Sequence, residues 1–115
     1  MRAAITYQTR NMFGFQHVAL VIDQGLLPHC ISTDLTVPGR LAVVHSMTEM
    51  MTRFLGLGFT LPQVVTMCTA NPAKAIGIDH RLGSLAVGRQ ADISVLEMQE
   101  GDWVVHDVLG AGLRV

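Results

Sequence analysis

The chain has 115 residues, of which 50% are hydrophobic and 15% charged, and its formal net charge is -1. A nucleic-acid-binding domain needs a basic stripe or aromatic residues for base stacking, and this chain has no cationic run, one Trp and one Tyr. No apolar run approaches the ~20 residues of a membrane-spanning helix, and no secretory signal follows Met1, so we expect no nucleic-acid partner, no membrane insertion and a cytoplasmic protein.

The apolar content is higher than a small self-sufficient domain needs, because small domains expose a large share of their surface. We therefore expect other protein, either outside this chain or in a homo-oligomer, to cover part of the apolar surface. Cys30 and Cys68 are too few and too far apart for a zinc knuckle or a disulfide framework. They are interpreted as buried, reduced thiols.

The first half of the chain predicts a helix followed by a short strand. Residues 13–24 place apolar side chains at close to 3.6-residue spacing, and Gly25 ends that helix. Residues 30–33 then resemble a short strand that ends at Asp34, and a loop follows over 35–39. Because a lone strand cannot satisfy its backbone donors and acceptors, we expect it to belong to a larger sheet with its other strands elsewhere.

The middle of the chain predicts three helices. The first covers residues 45–57 and ends at glycines, and the second begins with a capping box between Thr60 and Gln63. The third is short, with Asn71 expected as its N-cap and Gly77 as its end. After Gly77, short runs at 91–98 and 103–108 predict β-strands.

The histidines give no local metal site. No two of them are two, three or four residues apart, so no helix or strand presents two imidazoles to one ion. Each is interpreted as a surface or packing residue: His17, His29, His45, His80 and His106. No Gly-x-Ser-x-Gly sequence is present for a nucleophilic serine.

Asp34 is the candidate catalytic and metal-binding residue. It follows an apolar strand, and catalytic residues gather at the C-terminal ends of strands in parallel barrels. A carboxylate at that position can ligate a divalent metal and accept a proton from water. Spacing alone favours a simpler interpretation, in which residues 32–34 form a turn or a helix cap.

Four segments carry a resemblance to a known family. They are residues 25–34 (GLLPHCISTD), 50–58 (MMTRFLGLG), 66–77 (TMCTANPAKAIG) and 83–96 (GSLAVGRQADISVL). In this order and with these separations, they resemble the amidohydrolase superfamily, and within it the dihydroorotase-like amidohydrolase/deacetylase branch.

The resemblance implies an α/β fold. Residues 1–77 would form the C-terminal end of a (β/α)8 TIM barrel, with its last strand and the following helices, and residues 78–115 would form part of the accessory β-sandwich. It also implies that Asp34 is the strand-eight aspartate, which ligates one of one or two zinc ions and takes the proton from the attacking hydroxide. The glycines near residues 83–92 would be structural, and Asp92 is expected to hold backbone donors.

The same resemblance implies that the chain is a fragment. A complete barrel takes about 250 residues, and the family's His-x-His pair, carboxylated Lys and further His ligands have no match here. Met1 is therefore not expected to be the true start. We expect a fragment of a metal-dependent hydrolase of cyclic or N-acyl amides, inactive alone and with its small-molecule substrate unidentified. The alternative is a non-catalytic interaction or oligomerisation module derived from that fold.

Overall fold

The structure is a computed structural model and describes residues 6–7, 14–35, 37 and 45–115. Most of the loop predicted at 35–39 lies outside these residues. In chain order the elements are β1 (Thr6–Tyr7), α1 (Phe15–Asp23), β2 (Cys30–Ile31), α2 (Met47–Gly56), α3 (Leu61–Cys68), α4 (Ala70–Ala75), β3 (Val104–His106) and β4 (Gly112–Arg114). The described residues form helices, one parallel strand pair and one antiparallel strand pair, so the fold is mixed α/β.

A parallel strand pair lies at the start of the fold. β1 pairs with β2, with Thr6 opposite Cys30 and Tyr7 opposite Ile31, and α1 lies between the two strands in sequence. Parallel strands need such a crossover, usually through a helix. The predicted strand before Asp34 is confirmed, and it pairs with an earlier strand of this chain that the sequence does not predict. β1 has two residues, too few to give a period-two pattern in the sequence.

The predicted helices are present, and local capping explains most of their ends. Gly25, at φ +80, follows α1 as predicted, in the left-handed conformation that glycine adopts without a steric penalty. Ser46 begins α2 by accepting a hydrogen bond from the Glu49 N–H (3.1 Å). The capping box of α3 is confirmed, with the Thr60 N–H donating to Gln63 Oε1 (2.8 Å).

One predicted cap is wrong. α4 begins at Ala70 with Thr69 as its N-cap, so Asn71 lies inside the first turn. The Asn71 amide instead donates to the carbonyl oxygen of His29, over 2.7 Å. A side chain that was expected to serve its own helix therefore connects that helix to the residue before β2.

The core draws on the helices, β2 and the C-terminal hairpin. Its buried members are Phe15, Val18, Ile31, Met50, Phe54, Val64, Met67 and Val105. Val105 lies on β3, so the hairpin packs against the same apolar cluster as the helices. The division of the chain at residues 77 and 78, and the assignment of 78–115 to a β-sandwich, stay predictions.

The C-terminal part contains one predicted strand and lacks another. β3 lies inside the predicted 103–108 run and pairs antiparallel with β4, which the sequence did not predict. The predicted strand at 91–98 is wrong, because those residues form no strand in the structure and their side chains are exposed, Val95 at 93%. Among the helices that are described, none has both the length and the hydropathy to cross a bilayer.

Candidate functional site

Asp34 lies three residues beyond the end of β2 and is half-buried. Its backbone is in the left-handed region, at φ +43, which Asp tolerates better than most residues. The Asp34 N–H donates to Ser32 Oγ over 3.3 Å, so the Ser32 side chain holds the backbone two residues further on. Asp34 therefore lies just past the carboxyl end of a strand, in an irregular segment with one local hydrogen bond.

The Asp34 carboxylate is available for a ligand. Within the described ranges it takes part in no ion pair and accepts no hydrogen bond. An oxygen donor of this kind suits a divalent cation. However, the described residues contain no group of three or more His, Cys, Asp or Glu side chains that could hold a metal ion. Asp34 thus fits as one ligand, while the donor set in this part of the chain is incomplete.

Two contacts fix the strand that leads to Asp34. Ile31 is buried in the core, and the carbonyl oxygen of His29 accepts the hydrogen bond from Asn71. His29 Nδ1 also lies 3.3 Å from Cys30 Sγ. β2 is therefore held by the core at one residue and by α4 just before it begins.

The two cysteines are free, as predicted, but only Cys30 is buried and Cys68 is half-buried. Burial raises the pKa of the Cys30 thiol. Burial, and then the charge of Cys30, raise the pKa of Cys68 to about 11. Metal ligation and nucleophilic attack both need the thiolate, so neither thiol is prepared for such chemistry at neutral pH.

Asp107 is a buried carboxylate whose structural role no sequence pattern indicates. It is 2% exposed and accepts hydrogen bonds from the N–H groups of Phe15 (2.8 Å), Leu109 and Ala111 (2.9 Å each). Burial alone would raise the pKa of this carboxyl, but the backbone N–H donors, that of Phe15 foremost, lower it below the ordinary value. Asp107 therefore serves as an N-terminal cap for α1 from a distance of 92 residues.

Arg53 joins α2 to the same hairpin. Its side chain is buried, pairs with Glu49 at 2.8 Å and donates through Nε to the carbonyl oxygen of His106 at 3.1 Å. Burial lowers the pKa of the guanidinium, while the charges of Glu49 and Asp107 raise it. Its partners on the hairpin are more than 50 residues away in sequence, which is why no local spacing indicated this contact.

Comparison with known proteins places these features in a family. The model of the amidohydrolase family matches residues 12–111. A deacetylase of Agrobacterium fabrum is 33% identical over 98 residues, which is 85% of this chain and 24% of the deacetylase. An adenine deaminase of Methanococcoides burtonii is 39% identical over 69 residues, covering 60% of this chain and 12% of that enzyme.

A solved structure agrees with the sequence comparisons. The crystal structure of a dihydroorotase superposes with a TM-score of 0.78 at 32% identity, over 90% of this chain and 28% of the dihydroorotase. The chain thus spans between 12% and 28% of the length of these three relatives. The match over residues 12–111 takes in all four segments on which the resemblance was based. The chain belongs to the amidohydrolase family.

Proposed function

We propose that the chain forms the C-terminal end of the barrel of an enzyme that hydrolyses C–N bonds of cyclic or N-acyl amides. In this proposal residues 1–77 belong to the barrel and residues 78–115 to an accessory β-sandwich. The family match over residues 12–111 supports it, as do a deacetylase and a dihydroorotase among the similar proteins. The parallel pairing of β1 with β2 around α1 is the strand arrangement that such a barrel requires.

The observation that carries the proposal is the carboxylate of Asp34 just past the carboxyl end of β2, which has no hydrogen bond or ion pair with any residue that the structure describes. Asp34 is proposed as one ligand of a divalent metal, zinc, which when bound polarises the amide carbonyl and makes water more acidic. Asp34 also accepts a proton from the attacking water and passes it to the leaving nitrogen. Since the described residues supply one ligand, we propose that the 115-residue chain does not catalyse alone.

The test of Asp34 uses the whole chain and a paramagnetic ion. A carboxylate that ligates weakly still brings Mn2+ close enough to broaden nearby amide signals. We expect Mn2+ to broaden the NMR signals of residues 31–35 selectively, and Asp34→Asn to abolish that broadening. Asp23→Asn, at an exposed carboxylate in the last turn of α1, is the matched control and should leave it intact.

Two results would contradict the proposal. Equal broadening in the wild-type chain and the Asp34→Asn variant would show that Asp34 does not bind the metal ion. The purified chain could also bind zinc stoichiometrically and turn over an N-acetyl amino acid or a cyclic ureide. That result would contradict the proposal that the 115-residue chain does not catalyse alone.

The second candidate is a non-catalytic interaction module. The observation that favours it is the exposure of apolar side chains after α4, including Leu85, Val87 and Val95. Such a module needs no ligand at Asp34. Selective Mn2+ broadening that depends on Asp34 therefore favours the hydrolase, and its absence favours the module.

A further inference from the structure

The loop that follows α4 is built to lie close against that helix. The Ile78 N–H donates to the Ala73 carbonyl (2.9 Å), and the Gln90 N–H donates to the Arg81 carbonyl (3.0 Å), which closes the loop on itself. Gly83 has φ +83, and a Cβ there would lie 2.8 Å from Ala73 Cβ and 3.1 Å from the Thr69 carbonyl oxygen. Only glycine allows this close approach.

Between α4 and this loop lies an open cleft of about 360 Å³. Its charged lining consists of Lys74 from α4, and Asp79 and Arg89 from the loop, with Ser84 contributing a hydroxyl. With two cations and one carboxylate, the lining carries a net positive charge. None of the three ion pairs found between described residues includes a member of this set.

Arg89 supplies the second observation. Its Nη1 is buried and has no hydrogen-bond partner among the residues that the structure describes, although the residue as a whole is only half-buried. A buried charged donor without an acceptor is unfavourable by the full cost of its desolvation, so such groups are normally paired. The Arg89 backbone is held by a hydrogen bond from its N–H to the Ala86 carbonyl (3.1 Å). The Arg89 backbone is therefore held in place within the loop, while Nη1 of its side chain donates to no residue that the structure describes.

We propose that this cleft binds a small oxyanion, a phosphate or a carboxylate group, with Arg89 as its main ligand. The planar guanidinium presents parallel N–H donors that match the oxygens of either group. Lys74 adds a second positive charge, and the Ser84 hydroxyl can donate a further hydrogen bond. Asp79 disfavours more highly charged anions. The site is separate from the proposed role of Asp34.

The experiment is a titration of the purified chain with inorganic phosphate, and separately with acetate, at constant ionic strength, followed by NMR. We expect saturable shifts of amide signals at residues 74 and 83–89. Arg89→Gln should weaken binding about tenfold or more, because a charge-assisted pair is lost. Arg89→Lys keeps the positive charge but loses the parallel N–H donors of the guanidinium, so it should weaken binding less.

Arg114→Gln is the control, because Arg114 is an exposed arginine outside the cleft. Its replacement should leave the affinity for phosphate or acetate unchanged. Saturation by phosphate alone or by acetate alone identifies the oxyanion and supports the site. Absence of saturation with both anions, or equal affinity of the wild-type and Arg89→Gln chains with native-like spectra, would overturn the proposal. Neither result bears on Mn2+ broadening near Asp34, so the two proposals can fail independently.

Discussion

Asp107 and Arg53 show how single buried polar side chains join distant parts of this chain. Asp107 caps α1 from the β3–β4 hairpin, and Arg53 holds the same hairpin to α2 through the His106 carbonyl. The resemblance to the family predicts that Asp92 holds backbone donors. In the structure Asp92 is exposed and its carboxylate accepts from the Gln90 side chain, so that role falls to Asp107. Both residues are aspartates near glycines, and local sequence does not distinguish them.

Replacing Asp107 tests the capping role. Asp107→Asn removes one of the two acceptor oxygens, so we expect a loss of about 2 kcal/mol in the free energy of unfolding at pH 7. Because the folded-state pKa is lowered, the stabilisation is present above the unfolded-state pKa of about 3.9 and is lost as the pH falls through the folded value. Urea denaturation at pH 7 and pH 3 should show the difference between wild type and variant shrinking in acid.

The control for this prediction is Asp102→Asn. Asp102 is exposed and pairs with an equally exposed Arg114, so its replacement should change stability by less than about 0.5 kcal/mol. Equal losses in the two variants would mean that the hydrogen bonds to Asp107 do not stabilise the fold.

At the scale of elements, the sequence predicts helices and caps, which depend on residues close together in the chain. It misses strand pairs and hydrogen bonds between residues that are far apart in the chain. The helices near 13–24 and 45–57 and the Thr60–Gln63 capping box follow from periodicity and from contacts within four residues. β1 was missed because two residues carry no pattern, and Asn71 was misassigned because its partner lies 42 residues away. Asp34 was selected through the order of four family segments, and its role as a ligand stays a prediction.

The bond between Asn71 and His29 gives a prediction about the strand before Asp34. Asn71→Ala leaves the His29 carbonyl without this donor, so we expect β2 to loosen and stability to fall by about 1 kcal/mol. NMR should show amide shift changes at residues 30–34. Thr66→Ala is the control, because that hydroxyl bonds within α3 to the Pro62 carbonyl. Unchanged signals at 30–34 in the Asn71→Ala chain would contradict a positioning role.

The whole molecule combines a small core with an exposed segment, residues 93–102, that precedes the C-terminal hairpin. The core is centred on α2 and α3, where Met50, Phe54 and Val64 are fully buried. Residues 93–102 form no backbone hydrogen bonds through their N–H groups with any residue that the structure describes. Their alternating sequence predicted a strand, but a strand also needs a neighbour, and the sequence of one segment does not show where that neighbour is. The apolar side chains of this segment are exposed: Ile93, Val95, Leu96 and Met98.

Hydrogen exchange should separate these two regions. Opening of the core requires breaking buried apolar contacts, so amides in α2 and α3 should exchange at least about a hundredfold more slowly than amides at 93–100. Protection at 93–100 that disappears on dilution would mean that this segment pairs with a second copy of the chain and would favour the interaction module. Protection independent of concentration would contradict the exposed arrangement. Fast exchange at every concentration fits a segment whose apolar side chains are covered only by protein outside this chain, as the proposed β-sandwich requires.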